Sequence, residues 1–572
     1  MTAGDRQPND RGLRDVVTAP ERRARYEADG LWDGSTLAGR VAGHAASTPD
    51  AVAVVAGDVR RTYGDLARDA ASTAAGMAAR GVVAGSVVSI QLPNGYEFAV
   101  AAVAVQSLGA VVNPLLPNYR RRELGTVFGV AEPVMIITPT DYRGCDYPAL
   151  VAAVAADVGH PVHHVVVGDA PTPTATAGVP AGTCPEPFEA LMGTPAPSGG
   201  LGAGGLASAV SEIIFTSGTE ATPKAIMHTE QTTNFSVRVA RDDLGVTADD
   251  VVWMPSPLGH STGFNYGLRF ALYHGLPIVL QDRWDGDQAA ELVARERCSY
   301  TLAATTFLRE LTEAAERGGS RLSSLRFFGC GGATVPPALV DRAQAVGIDV
   351  LRLYGSTEVL VGTWNRPGST AAQKRETDGK AMSHVEMEVR DDDGRPVVGQ
   401  PGELYVRGPD TCVGFFADPE RTAATFTPDG WVRSGDLVTV DGDGYVTVVG
   451  RKKEIIIRGG LNITPREIEE LLTGFPEVGQ AAVIGLPDAR LGERMCACVV
   501  LREGQVLDLE TVVARLKAVG LATYKLPERL EVVPALPATA SGKVQKHELV
   551  RMVLGDTAPG DTAPSDTAGV SA

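Results

Sequence analysis

A chain of 572 residues exceeds what a single hydrophobic core usually serves, so at least two domains are expected, one of them large. With 44% hydrophobic and 21% charged residues the composition is that of a folded globular protein, which excludes a disordered or fibrous one. Asp and Glu outnumber Lys and Arg by 69 to 52, and the net charge of -17 argues against nucleic acid or an anionic membrane surface as a partner.

In chain order, the N-terminus "MTAGDRQPNDRGLRDVV" has no apolar core of signal-peptide length. No later run reaches the roughly 18 apolar residues of a membrane span, so a cytoplasmic location is expected. Residues 1–36 read as a polar, mobile extension, and the tail 554–572 repeats a small Asp-Thr-Ala unit that cannot bury a core. Between them, the apolar runs "GSVVSIQL", "PVMIIT", "HHVVVG", "SEIIF", "DVVWMP" and "GLPIVL" alternate with helical stretches such as "FAVAAVAVQSLGA" and "PPALVDRAQAVG". That alternation predicts α/β architecture: a large N-terminal domain, 37–451, of mixed and parallel sheets with crossover helices. The Pro/Gly/Thr/Ala-rich stretch beginning "APTPTATAG" and ending "GLGAGG" predicts a long surface loop before the next strand.

Near Arg451 to Lys453 the pattern changes, and 452–553 is expected to form a small, mobile α+β domain. Its first helix is signalled by Thr464 as cap, Pro465 at the first position and Glu467 closing a capping box, with Ile468, Leu471 and Leu472 as buried stripe. The seven cysteines show no metal-ligand spacing, and alternation places Cys496 and Cys498 on one face of a strand, as buried thiols outside any disulfide.

The loop "FTSGTEATPKAIMHT" ends a buried strand and then gathers Thr216, Ser217, Gly218, Thr219, Thr222 and Lys224, a phosphate-binding set of hydroxyls, N–H groups and one cation. It is not a Walker loop, because it has one glycine and Pro223 directly precedes the lysine. Downstream, "LYGSTEV" brings Tyr354, Gly355, Ser356, Thr357 and Glu358, an aromatic suited to stacking on a base and a carboxylate suited to a hard cation. "SGDL" supplies Asp436 for ribose hydroxyls, Gly450-Arg451 a cation, and "PATASGKVQK" places Lys543 on a small-residue loop. Singly, each has a bland reading as a solvent-facing turn; their joint order does not.

In that order these motifs resemble the adenylate-forming superfamily of acyl- and aryl-CoA synthetases, luciferases and peptide-synthetase adenylation domains, from about Leu37 to Val550. The resemblance implies ATP, Mg2+ and coenzyme A as cofactors and co-substrates. It further implies that Thr216, Ser217, Gly218, Thr219 and Lys224 close over the triphosphate, and that Gly331, Gly332 and Ala333 with Tyr354 flank the adenine. Thr357 would touch phosphate, Glu358 would bind Mg2+, and Asp436 and Arg451 would hold the ribose. Lys543 would bridge carboxylate and α-phosphate during adenylation, and Lys453 would be the hinge that later brings Arg458 to Asn462 to the site for thiol attack. Glu220, Ala221 and Ala225 depart from the family's usual neutral and glycine residues, since a carboxylate repels pyrophosphate and an alanine resists positive φ.

"MPSPLGHSTGFNYG" matches the family stretch whose histidine or aromatic gates the acyl pocket, so His260 is expected as gate, with Phe264, Asn265 and Gly355 beside the substrate. Amino-acid-activating relatives carry an aspartate here; this chain has none, which disfavours an amine and favours an apolar aliphatic or bulky alicyclic acid. The closest branch by motif is that of cyclohexanecarboxylate and medium-chain acyl-CoA ligases. The expected reaction is ATP-dependent formation of an acyl-adenylate and transfer to coenzyme A. The alternatives are an enzyme that stops at the adenylate or serves a carrier-protein thiol, and a degenerate nucleotide-binding module.

Overall fold

The computed structural model describes residues 17–169, 184–216, 223–319, 322–333, 335–458, 461–488, 490–539 and 543–555. The chain divides into two compact units, the large one running to Val448 and the small one comprising Val449–Thr539 and the stretch from Lys543 onward. The division falls a few residues ahead of the Arg451 to Lys453 turn at which the change of sequence pattern sets it.

Among the described residues the large unit holds a seven-stranded sheet in the order Lys224–Thr229, Val210–Thr216, Val111–Pro114, Val87–Ile90, Met135–Pro139, His163–Val167 and Glu186–Pro187. The strands from Val111–Pro114 to Glu186–Pro187 are mutually parallel, and Val210–Thr216 with Lys224–Thr229 forms an antiparallel hairpin at the edge. A second, nine-stranded sheet places Tyr300–Ala303, Phe327–Cys330 and Val350–Ser356 side by side in parallel, with Leu360–Trp364 returning antiparallel beside the last. Strands such as Val87–Ile90 are buried along their length because both faces are covered, and the one polar side chain of this strand, Ser89, donates to Asn113 Oδ1 at 2.8 Å. The helix Tyr96–Ser107 is apolar nearly all round and correspondingly buried from Phe98 to Gln106, as a core helix must be. This is the mixed and parallel α/β architecture expected for the large domain.

Two sequence expectations are corrected here. Residues 17–36 are not a loose extension: Pro20–Ala28 is helical, Tyr26 and Trp32 are buried with ring centroids 5.0 Å apart, and the Val17 amide donates to the Val413 carbonyl at 3.0 Å. The polar residues mask two aromatics that anchor the segment. The Pro/Gly-rich stretch is also not structureless throughout, since Phe188–Met192 is a short helix with Phe188 and Leu191 buried, whereas 170–183 lies outside the described residues.

The Trp32 indole N–H donates to the Pro409 carbonyl at 2.9 Å, next to Asp410, which is fully buried. Burial pushes the Asp410 carboxyl up to about 8, with its own backbone amide offsetting only part of the cost. A carboxyl held protonated in the native state binds a proton that the unfolded chain releases near 3.8, so stability falls as pH rises between about 4 and 8, by on the order of 1 kcal/mol per pH unit. Asp410→Asn is therefore expected to raise the midpoint of thermal unfolding at pH 8 and to change it little at pH 4.5; a pH-independent effect would show that the carboxyl is ionised in the fold.

The small unit pairs Val478–Asp488 with Gly492–Leu501, adds Arg529–Val532 in parallel, and carries the Ile456–Arg458 and Leu461–Ile463 hairpin at its edge. Cys496 and Cys498 are buried on one strand as expected. Pro465 opens the helix Pro465–Thr473, and Ile468 and Leu472 are fully buried, but Thr464 makes no side-chain cap bond. Lys525 draws the Glu467 carboxylate away, and an ion pair there replaces the expected capping box. Lys546 is sequestered between Glu454, 3.2 Å away, and Glu469, 2.7 Å away.

Candidate active site

The Val210–Thr216 and Lys224–Thr229 hairpin pairs Thr216 with Lys224 at its mouth. Ser217, Gly218, Thr219, Glu220 and Ala221 lie outside the described residues. Ala225 sits in the regular ladder opposite Phe215, and its carbonyl accepts from the Phe416 amide at 2.8 Å. It is absent from the positive-φ positions, so the expected strain at this alanine does not arise.

From the mouth of the hairpin the Lys224 ammonium reaches the Glu358 carboxylate at 3.2 Å, two residues far apart in sequence that are bridged by the segment 412–416, whose backbone bonds both to the Glu358 carbonyl and to the Lys224–Thr229 strand. Burial works to raise the Glu358 carboxyl, but the Lys224 charge, the Glu358 backbone amide and the Ser356 side chain together hold it below the ordinary carboxylate range. Glu358 is thus ionised at neutral pH. The turn that presents it is tight: Leu360 adopts φ +50°, and a Cβ at Gly355 would lie 2.1 Å from the Leu360 carbonyl oxygen. Gly355 is therefore required by the backbone of this turn.

Two further bonds fix this turn. The Cys412 amide donates to the Glu358 carbonyl at 2.7 Å. His228, fully buried and directly opposite Glu212 in the hairpin, approaches the Thr357 carbonyl with Nε2 at 2.7 Å and the Thr232 hydroxyl with Nδ1 at 3.0 Å. A carbonyl only accepts, so Nε2 carries a proton; burial lowers the imidazole pKa, leaving Nδ1 to accept from Thr232. Sequence reasoning missed His228. The one available signal was an imidazole at an inward position of an otherwise apolar strand, which does not reveal a partner more than a hundred residues away.

On the same unit the Tyr354 hydroxyl donates to Asp436 Oδ2 at 2.8 Å, joining the expected base-stacking aromatic to the expected ribose carboxylate. Gly331, Gly332 and Ala333 follow the neighbouring strand Phe327–Cys330, where a Cβ on Gly331 would fall 2.5 Å from the Leu353 carbonyl. Thr357 is buried beside Glu358. Arg451 ends a strand, Lys453 lies in the turn Lys452–Glu454, and Lys543 bonds back to Thr539 through its backbone N–H and carbonyl.

His260 is part-exposed and caps the turn that follows it, its Nδ1 accepting from the Thr262 amide at 3.2 Å. Phe264 and Asn265 differ from expectation: both are fully buried. Phe264 packs against Phe98 at 6.3 Å, and the Asn265 side chain is taken up by Glu212 and Arg269. The buried ion cluster that Asn265 joins is invisible in local sequence.

The donor set fits Mg2+ and ATP. A lone ionised carboxylate is what Mg2+ takes from protein when phosphates and waters complete its octahedron, and Lys224 supplies a countercharge for phosphate.

The chain belongs to the AMP-binding enzymes: that family matches residues 41–416, and the AMP-binding enzyme C-terminal domain matches 467–543. It is 36% identical over 537 residues to a medium-chain fatty-acid–CoA ligase of Escherichia coli K12, covering 93% of each chain. It is 32% identical over 567 residues to a salicyl-AMP ligase / salicyl-S-ArCP synthetase of Mycobacterium tuberculosis H37Rv, covering 97% of this chain and 98% of that one. The crystal structure of ATP-bound MatB from Rhodopseudomonas palustris superposes with a TM-score of 0.79 at 26% identity, over 91% of this chain and 99% of that chain. The protein is an adenylate-forming ligase.

Proposed function

We propose that this enzyme uses ATP to convert an apolar aliphatic or bulky alicyclic carboxylic acid into its acyl-adenylate, releasing pyrophosphate, and then transfers the acyl group to coenzyme A. The observation that carries this reading is the pair of long-range contacts Lys224–Glu358 and Tyr354–Asp436, which support a triphosphate and metal end and a nucleoside end on one unit. Attack of a carboxylate on the α-phosphorus brings two anions together, so the residues act by neutralising charge and fixing alignment. Lys224, Thr216 and the hydroxyls of Ser217 and Thr219 are assigned to the triphosphate. Glu358 is assigned to Mg2+, which when bound neutralises developing phosphate charge. Tyr354 with Gly331, Gly332 and Ala333 is assigned to the adenine, Asp436 and Arg451 to the ribose, Lys543 to the adenylation step and Lys453 to the hinge.

His260 is assigned to the acyl side. The absence of an acidic side chain among Ser261, Thr262 and Gly263 supports an acid without a charged amine. A cytoplasmic location is part of the proposal, supported by there being no helix among the described residues long and apolar enough to cross a membrane.

The test is incubation with a panel of aliphatic, alicyclic and aromatic acids, ATP and Mg2+, with and without coenzyme A, followed by mass detection of acyl-AMP and acyl-CoA. Acyl-AMP with an apolar acid and acyl-CoA on adding the thiol are expected. Acyl-AMP that persists with coenzyme A present would favour the second reading, a carrier-protein thiol as acceptor, which the similarity to the salicyl-S-ArCP synthetase supports. No acyl-AMP with any acid would overturn both in favour of a degenerate nucleotide-binding module.

A further inference from the structure

Behind the proposed acyl side lies a fully buried ion cluster. Arg269 donates through Nε to Asn265 Oδ1 at 3.0 Å, through Nη1 to Asn234 Oδ1 at 3.0 Å and to Glu230 Oε2, and through Nη2 to Glu212 Oε2 at 3.1 Å. The Asn265 amide closes the ring by donating to Glu212 Oε1 at 2.8 Å. Glu212 belongs to the Val210–Thr216 strand, Glu230 and Asn234 to the helix Glu230–Leu244, and Asn265 and Arg269 to the segment Phe264–Arg269. One guanidinium thus ties the two elements that frame the phosphate-loop hairpin to the segment that follows His260. Burial works against the Arg269 charge, but Glu230 and Glu212 more than offset it.

Phe264–Arg269 is a π-helical turn, flanked by α-helical Ser261–Gly263 and Phe270–His274. Such turns are rarer than α-helix and persist where surrounding contacts hold them. Here Asn265 and Arg269 hold its buried face, and Gly263 and Gly267 fit where a Cβ would lie 2.2 Å from the Pro257 carbonyl and 2.6 Å from Met254 Cγ. The His260 carbonyl accepts from the Phe264 amide at 2.9 Å, so the helical path runs unbroken from His260 into the π-turn. Relaxation of that turn by one residue toward α geometry would rotate the His260 end relative to the Arg269 end by about 100°. A buried cluster of ions seldom outdoes apolar packing in net stability, whereas a planar guanidinium fixes direction.

We propose that Arg269, working through Asn265, is a positioning residue for the acid: it pins the Phe264–Arg269 π-turn to the phosphate-loop strand and its helix, and so sets where His260 stands. This rests on the acyl-side assignment of His260. The predicted signature is a split between the two substrates. Arg269→Lys, which keeps the charge and loses the fork, raises KM for octanoate and cyclohexanecarboxylate by about tenfold and leaves KM for ATP within about threefold, by the scale of a misplaced reacting group. Amide hydrogen exchange over 264–270 accelerates while that over Tyr300–Ala303 does not.

Glu230→Gln keeps the shape and the acceptor, relieves the excess buried negative charge, and shows the same split more weakly. Equal movement of both KM values in folded Arg269→Lys, or no movement of either, overturns the proposal. If Arg269→Lys does not fold, wild-type acid KM and wild-type exchange in Glu230→Gln overturn it. His260→Ala distinguishes the two levels: acid KM moved by His260→Ala and not by Arg269→Lys rejects the clamp alone, whereas a silent His260→Ala rejects the acyl-side assignment and the proposal with it.

Discussion

Lys543→Ala is expected to lower the rate of acyl-AMP formation by about 10²- to 10³-fold while leaving thioester formation from supplied acyl-AMP within about threefold of wild type, by the scale of losing one preorganised charge. The asymmetry follows from the electrostatics. Adenylation must bring a carboxylate up to a phosphate, and one cation between them is worth most in that step; once the mixed anhydride exists, thiol attack no longer joins two anions. The neighbouring Lys546 is no substitute, since Glu454 and Glu469 flank it at 3.2 and 2.7 Å. Pyrophosphate–ATP exchange and single-turnover thioesterification measured separately check the prediction, and equal loss in both would remove Lys543 from the adenylation step.

Glu358→Gln is expected to cost about 10²-fold in acyl-AMP formation and to raise the Mg2+ concentration needed for half-maximal rate, again on the scale of one electrostatic contact. The amide keeps the shape and can still meet Ser356, so the change removes charge and little else. Because Lys224 and the neighbouring donors hold the wild-type carboxyl below its ordinary range against the pull of burial, Glu358 stays ionised across neutral pH. The Mg2+ requirement of the wild type should accordingly be flat from pH 6 to 8 as far as this group is concerned. The sign is that of a depressed carboxyl: its contribution is present above the unfolded pKa and is lost as pH falls through the folded one. A Glu358→Gln enzyme with an unchanged Mg2+ requirement would move the metal elsewhere.

Much of this architecture is legible in the sequence because local rules carry it. The apolar runs around Val88, Ile136, Val165, Ile213, Trp253 and Val279 all fall in strands, and the helix over Pro337–Ala345 begins at its prolines. The nucleotide-side motifs are legible for another reason: each is short and distinctive, and their order along the chain carries the information. What escaped depends on register between distant strands. His228 acquires meaning only once it lies within reach of the Thr357 carbonyl, and Arg269 only once Glu212 and Glu230 converge on it. The same cause explains the misread residues. Glu467 answers to Lys525 rather than to its own helix end, Asn265 is engaged by a buried guanidinium, and Tyr26 and Trp32 anchor a segment whose composition is polar.

The Lys224–Glu358 contact has a consequence for ligand selection. Each of the two groups already satisfies much of the other's charge, so a free divalent cation must compete with an ammonium, and a free phosphate must compete with a carboxylate. A ligand that brings cation and polyanion together offers each side chain a replacement in the same event. On the proposed assignment of Glu358 to Mg2+ and Lys224 to phosphate, the pair would act as a two-key lock, indifferent to the abundant metal and the abundant anion taken one at a time and cooperative toward their complex.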